Sequence, residues 1–189
     1  MKYNEIKTPE DLLKFMEENI TYGFVSKNNK IYDDPNSEEW NNDWYHECIV
    51  QDGGCLLETK YGTCWDQVEL ERKWFSENNY NFKTIFLWFE VNKPNNLPTH
   101  TFLIYEKNNK YYWFEHAYFN YKGIHEFNSE EQLIEYVKDK QLEYAIETNR
   151  ATLEDKKYIT YYEYDKPLKN LNVDDYISHV TSNNCKIKN

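Results

Sequence analysis

The stretch that most constrains this chain runs from Thr99 to Tyr118, interrupted only by Asn108-Asn109. Its first half carries Phe102, Leu103, Ile104 and Tyr105; its second half returns with Tyr111, Tyr112, Trp113 and Phe114. Two β-prone runs joined by two residues that tolerate positive φ predict an antiparallel hairpin. A two-residue turn also fixes the register. Lys107 then faces Lys110, Phe102 faces Glu115 and His100 faces Ala117. His100 and Glu115 become diagonal neighbours on one face, about 7–8 Å apart at Cα, within reach of an imidazole and a carboxylate. Side chains alternate along a strand, so His116 falls on the opposite face and reads as a packing residue. A bulge of one residue would exchange the two.

The second informative stretch is Gly62-Thr63-Cys64-Trp65-Asp66, followed by good helix formers as far as Trp74-Phe75. Gly62 reads as a tight turn. Thr63 reads as an N-cap, with Asp66 reaching back as the acid of a capping box. Cys64 is then the first helical residue, where unpaired N–H groups and the helix dipole favour negative charge and a nucleophilic thiolate. Cys48 and Cys55 show no such capped start and read as packing residues. Asp66 is ambiguous, because its charge also opposes a thiolate at Cys64.

Composition narrows the function classes. With 33 acidic against 22 basic residues the formal charge is −11, which argues against nucleic acid and against an anionic membrane surface. A neutral or basic substrate fits that balance better. The four cysteines include no C-x-x-C pair, so neither zinc nor any other cofactor is expected. No apolar signal segment opens the chain and no apolar run of about 18 residues is present, so a reducing, cytoplasmic setting with free thiols is expected. Aromatic residues make up 18% of the chain, enough for rings to carry the core.

Taken in order, Thr8-Pro9-Glu10-Asp11 starts a helix that runs to about Asn19, with Leu12, Leu13, Phe15 and Met16 on its apolar face. Ile20–Val25 reads as a short strand or extended turn, 26–46 as loop with one helical turn, and Gln51-Asp52-Gly53-Gly54 as a turn. Phe82–Val91 is a strand, and Pro94 and Pro98 bracket a loop. Tyr121–Phe127 reads as a further strand. Ser129-x-x-Gln132 caps a helix with Leu133, Ile134 and Val137 inward. Tyr158–Tyr164 reads as a strand and Asp174–Val180 as a short helix. Glu69, Glu71 and Arg72 read as a solvated face or a helix pair. His46, His125 and His179 receive no role, and Trp113 reads as core. One domain over 1–189 is expected, with an N-terminal helix and lid-like loops in 1–60, a core in 61–118, and sheet completion and C-terminal helices in 119–189.

A nucleophilic thiol needs a base and a group to orient that base. Cys64, His100 and Glu115 supply those three parts, and the backbone N–H of Cys64 is an oxyanion donor. Gln51, Trp44 and Trp65 are the candidates for a second donor or for the cleft wall. Gly62-x-Cys64-Trp65-Asp66, His100 thirty-six residues on and a carboxylate fifteen further resemble the transglutaminase-like branch of the papain-like cysteine enzymes. The likeness covers roughly 60–118. Glu115 stands where that family usually has Asp, Phe102 where Trp often follows the His, and His116-Ala117 where Pro-Thr often trails the acid. The resemblance implies an α+β fold in which a central helix bearing the Cys packs on an antiparallel sheet with flanking helices. It also implies a cysteine-dependent hydrolase or acyltransferase that works on a peptide or amide through a thioester. Two alternatives stand beside it. One is a non-catalytic protein-binding module on the same fold. The other is an acetyl-CoA-type acyltransferase, which would need a basic pocket.

Overall fold

The structure is a computed structural model that describes residues 2–89, 99–167 and 169–182. Its centre is a five-stranded antiparallel sheet in the order β8-β7-β6-β5-β9. The strands are β5 (Asn81–Phe89), β6 (His100–Lys107), β7 (Lys110–Glu115), β8 (Gly123–Phe127) and β9 (Ile159–Glu163). The hairpin has the expected register, from Lys107 opposite Lys110 to Leu103 opposite Phe114. Asn108 and Asn109 both take positive φ, 54° and 58°, which is the two-residue turn whose twist suits a hairpin. Asn29, Asn79, Asn149 and Asn170 turn the chain in the same way, so asparagine takes a role that glycine often fills. The loop bracketed by Pro94 and Pro98, the end of the run at Val91, Cys185 and most of the tail lie outside the described residues.

Helices cover both faces of the sheet, giving a mixed α+β fold of three layers. On one face, alternation sends Phe86, Leu103, Tyr105 and Phe114 against α1 (Pro9–Asn19), α4 (Cys64–Glu77) and α6 (Val173–Thr181). On the other, Ile85, Leu87, Phe102, Ile104 and Trp113 meet α5 (Glu130–Glu147) through Leu133, Ile134 and Val137. Burial of both faces is why the strands read as nearly unbroken apolar runs. The expected capping of α1 is present: Thr8 Oγ1 accepts the Asp11 N–H and Asp11 accepts the Thr8 N–H, both at 3.1 Å. In α5, Ser129 Oγ caps as expected, but Gln132 reaches back to the N–H of Asn128 rather than of Ser129. The N-terminal segment adds four two-residue pieces. β1 (Thr21–Tyr22) pairs in parallel with β4 (Tyr61–Gly62), and β2 (Phe24–Val25) pairs with β3 (Ile31–Tyr32).

Two expectations fail in this segment. Glu38–Glu47 is a full helix, α2, where loop with one helical turn was expected. Ser37 Oγ caps it by accepting the Trp40 N–H, but only Trp40 is buried, so it carries no apolar stripe to read. Gly53–Thr59 is also a helix, α3, rather than the end of a turn. Asp52 Oδ1 caps it by accepting the N–H groups of Gly54 and Cys55. Among the described residues, no helix is long and apolar enough to cross a membrane.

Candidate active site

Cys64 opens α4, as its sequence context predicts, and Thr63 and Asp66 form the capping box. The Asp66 carboxylate does more than cap. It accepts the Thr63 N–H at 2.7 Å, the Thr63 hydroxyl at 2.9 Å and, from the preceding segment, the Gln51 N–H at 2.7 Å. Burial pushes Asp66 up to about 6, against the pull of those hydrogen bonds. A side chain at Gly62 has no room: a Cβ there would sit 2.7 Å from Asp66 Cβ and 2.8 Å from Leu56. Glycine is therefore required by close approach between β4 and α4, not by the turn that its sequence suggests.

His100 begins β6 and Glu115 ends β7, and the hairpin brings them together: His100 Nε2 lies 2.7 Å from Glu115 Oε2. Both are almost fully buried, 5% and 2% exposed. Glu115 is the longer acid, and three groups hold it. The Trp113 indole N–H donates to Oε2 at 3.1 Å and the Tyr118 N–H donates to Oε1 at 2.6 Å, alongside His100. The His100 ring is further braced by Phe102, stacked at 5.8 Å, and by the edge contact of Tyr118 at 5.4 Å. Burial alone would lower the His100 pKa. The charge of Glu115 and hydrogen bonds with Cys64 and Glu115 more than offset it and push the ring up to about 10. With Nε2 on the carboxylate, Nδ1 is the nitrogen left for the sulfur.

Cys64 and His100 line a cleft of about 810 Å³ together with Trp44 and Trp65, and Glu115 holds His100 from outside that lining. Trp44 meets Trp65 edge-on at 5.5 Å, and Trp65 stacks on Tyr176 at 4.3 Å, so the two indoles form one wall. Gln51 is a correction. Its amide donates to the Tyr61 carbonyl at 2.8 Å and accepts the Thr59 hydroxyl at 2.7 Å, outside this cleft, so it is no oxyanion donor. Among the described residues the lining holds Lys122 and Arg150 and no Asp or Glu. The acidic balance of the whole chain is thus not that of the cleft, and of the neutral or basic substrates expected, a basic one finds no partner charge there.

Three further residues depart from expectation. Glu69 and Glu71 are buried rather than solvated, because the first turns of α4 are enclosed on every side. Arg72 pairs with Glu69 at 3.1 Å, as a helix pair should, yet burial still pushes Glu69 up to about 7. Glu71 lies two turns along the helix from Cys64. Burial first, and then the charge of Glu115, hold its carboxyl well above the usual range. His116 is not mere packing. β7 ends at Glu115 and the chain bends over 116–118, so strand alternation no longer governs it. Its ring lines the same cleft as Cys64, and Nδ1 lies 2.7 Å from Gln67 Oε1. The one available signal was Gln67 itself, a helical turn from Cys64 and therefore beside it. His125 and His179 bond only to backbone carbonyls, of Tyr121 and Asp165. Among the described residues no group of three His, Cys, Asp or Glu side chains is placed to hold a metal. No family model, curated protein or solved structure matches this chain.

Proposed function

We propose that this protein is a cysteine-dependent hydrolase or acyltransferase acting on a peptide or amide bond, with the papain-like, transglutaminase-like arrangement that its sequence resembles. The observation that carries the reading is His100, hydrogen-bonded to Glu115, lining one cleft with Cys64, which opens α4. A buried imidazole between a carboxylate and a thiol at a helix start is suited to take the thiol proton. The Cys64 sulfur forms a bond to the acyl carbon, and the C–N electrons return to nitrogen when the tetrahedral adduct collapses. The leaving amine takes the proton from His100, which leaves a thioester on Cys64. Water or a second amine then gives its proton to His100 and attacks the thioester, and the proton returns to the sulfur as the product leaves. Glu115 holds the tautomer and offsets the imidazolium charge in both halves. The N–H of Cys64, at the open end of α4, faces the developing oxyanion. A thiol at a helix start sharing a cleft with a carboxylate-held imidazole weighs against the binding-module alternative.

The test is acylation by p-nitrophenyl acetate, read by intact and peptide mass. A transient single acetyl group on Cys64 is expected, slowed in His100→Ala. Acetylation of Cys64 no faster than of Cys55 would overturn the reading.

A further inference from the structure

His116 lines the same cleft as the proposed nucleophile and has no part in the chemistry just described. It is 2% exposed, and its Nε2 is buried with no hydrogen-bond partner. Buried polar atoms are rarely left unpaired, and one in the wall of a cleft calls for an explanation. The polarity of its neighbours is settled by a short relay. The Gln67 amide donates through Nε2 to the Gly62 carbonyl at 2.8 Å, which makes Oε1 the atom that meets His116. An amide oxygen only accepts, so His116 Nδ1 must carry the proton. Burial, followed by the Lys122 charge, keeps the ring neutral by lowering it to about 3. Nε2 is therefore a bare lone pair on a ring that lines the cleft with Cys64 and His100. An uncharged acceptor calls for a donor, and the commonest neutral donor beside an acyl carbon is an amide N–H.

We propose that His116 is a specificity-determining positioning residue: its Nε2 accepts a hydrogen bond from the N–H of the acyl donor, so the cleft takes a primary or secondary amide in preference to an ester or tertiary amide. This rests on the acyl-transfer reading of Cys64 and adds to it the class of bond presented. Gln67 is the second member of the device, since it fixes which nitrogen of the ring is bare.

The experiment needs no known substrate. Cys64 in the full chain is alkylated with iodoacetamide, which carries N–H donors, and with N,N-dimethyl iodoacetamide, which carries none. The rate ratio is divided by the same ratio for free cysteine. One hydrogen bond contributes about 0.5–1.5 kcal/mol net, so a corrected preference of roughly three- to tenfold for iodoacetamide is expected. His116→Phe should bring the corrected ratio to one. Gln67→Glu gives a check that does not delete the ring. A carboxylate on Nδ1 favours the imidazolium, Nε2 becomes a donor, and the preference should again vanish. An unfolded variant would also give a ratio of one, so the ratio is read only on variants that keep the cooperative melting of the unmodified protein and the faster reaction of Cys64 over Cys55. A preference that persists in both variants, or is missing from the unmodified protein, would overturn the role of His116. If instead Cys64 reacts no faster than Cys55 with either reagent, the acyl-transfer reading fails and takes this proposal with it.

Discussion

Two of the described cysteines sit at capped helix starts, and they differ in almost everything else. Cys64 is the first residue of α4 and Cys55 the third of α3. Each has helix N–H groups nearby and an Asp within three residues. Beside Cys64 stands His100, an imidazole held by Glu115. Beside Cys55 stands Asp52, and burial followed by the hydrogen bond and charge of Asp52 raises the Cys55 thiol above its ordinary value. The comparison separates two effects that sequence reading runs together. A helix N-terminus contributes a modest field, on the order of 1 kcal/mol. The neighbouring side chain decides whether that field ends in a thiolate.

The largest way to break the contrast is to remove the base. His100→Ala should slow Cys64 alkylation at neutral pH by about 10²-fold, in the range that general-base catalysis spans, and leave Cys55 unaffected. Peptide mass spectrometry of the two thiols over time reads both at once. Glu115→Gln is the next step down. It keeps the shape but withdraws the charge that raises His100, so Cys64 should slow by roughly tenfold, with the pH dependence of the reaction shifted upward. The converse change sharpens the comparison from the other side. Asp52→Asn keeps a good N-cap but removes the opposing charge, and Cys55 should react about two- to threefold faster at pH 8 while Cys64 stays as it was.

The smallest effect is on stability against pH. Asp66 and Glu69 have carboxyl pKa values raised to about 6 and about 7, so the folded protein holds those protons more tightly than the unfolded chain. They contribute stability that is complete below their unfolded values and is lost as the pH rises through about 6 and about 7. His100, raised to about 10, contributes stability that is complete below its unfolded value and is lost as pH climbs through 10. His116, lowered to about 3, acts in reverse and loses its contribution as pH falls through that value. The melting temperature should therefore fall by a few degrees between pH 7 and pH 10. Glu71→Gln, which removes a further buried carboxyl raised in the same direction, should flatten that fall.

Much of the site was legible because it is built from local rules. The Asn-Asn turn sets the hairpin register, and register alone places His100 and Glu115 on one face. Thr63 and Asp66 mark the helix start that positions Cys64. What escaped the sequence depends on tertiary surroundings. Glu69 and Glu71 look like surface charges until the layers close over α4. Gly53-Gly54 looks like a turn, yet Asp52 caps a helix through them. His116 obeys strand alternation only if the strand continues, and it stops one residue earlier. Gln51 reads as a candidate oxyanion donor or cleft residue, but its side chain is spent on Tyr61 and Thr59.

The most direct test of the central claim compares Cys64 and Cys55 in one tube, alkylated with iodoacetate from pH 5 to pH 9 and resolved by peptide mass. If Cys64 reacts as an ion pair with His100, it should outpace Cys55 by about tenfold or more at pH 6, and the two rates should converge as the pH rises. Equal rates with the same pH dependence at both thiols would contradict the account.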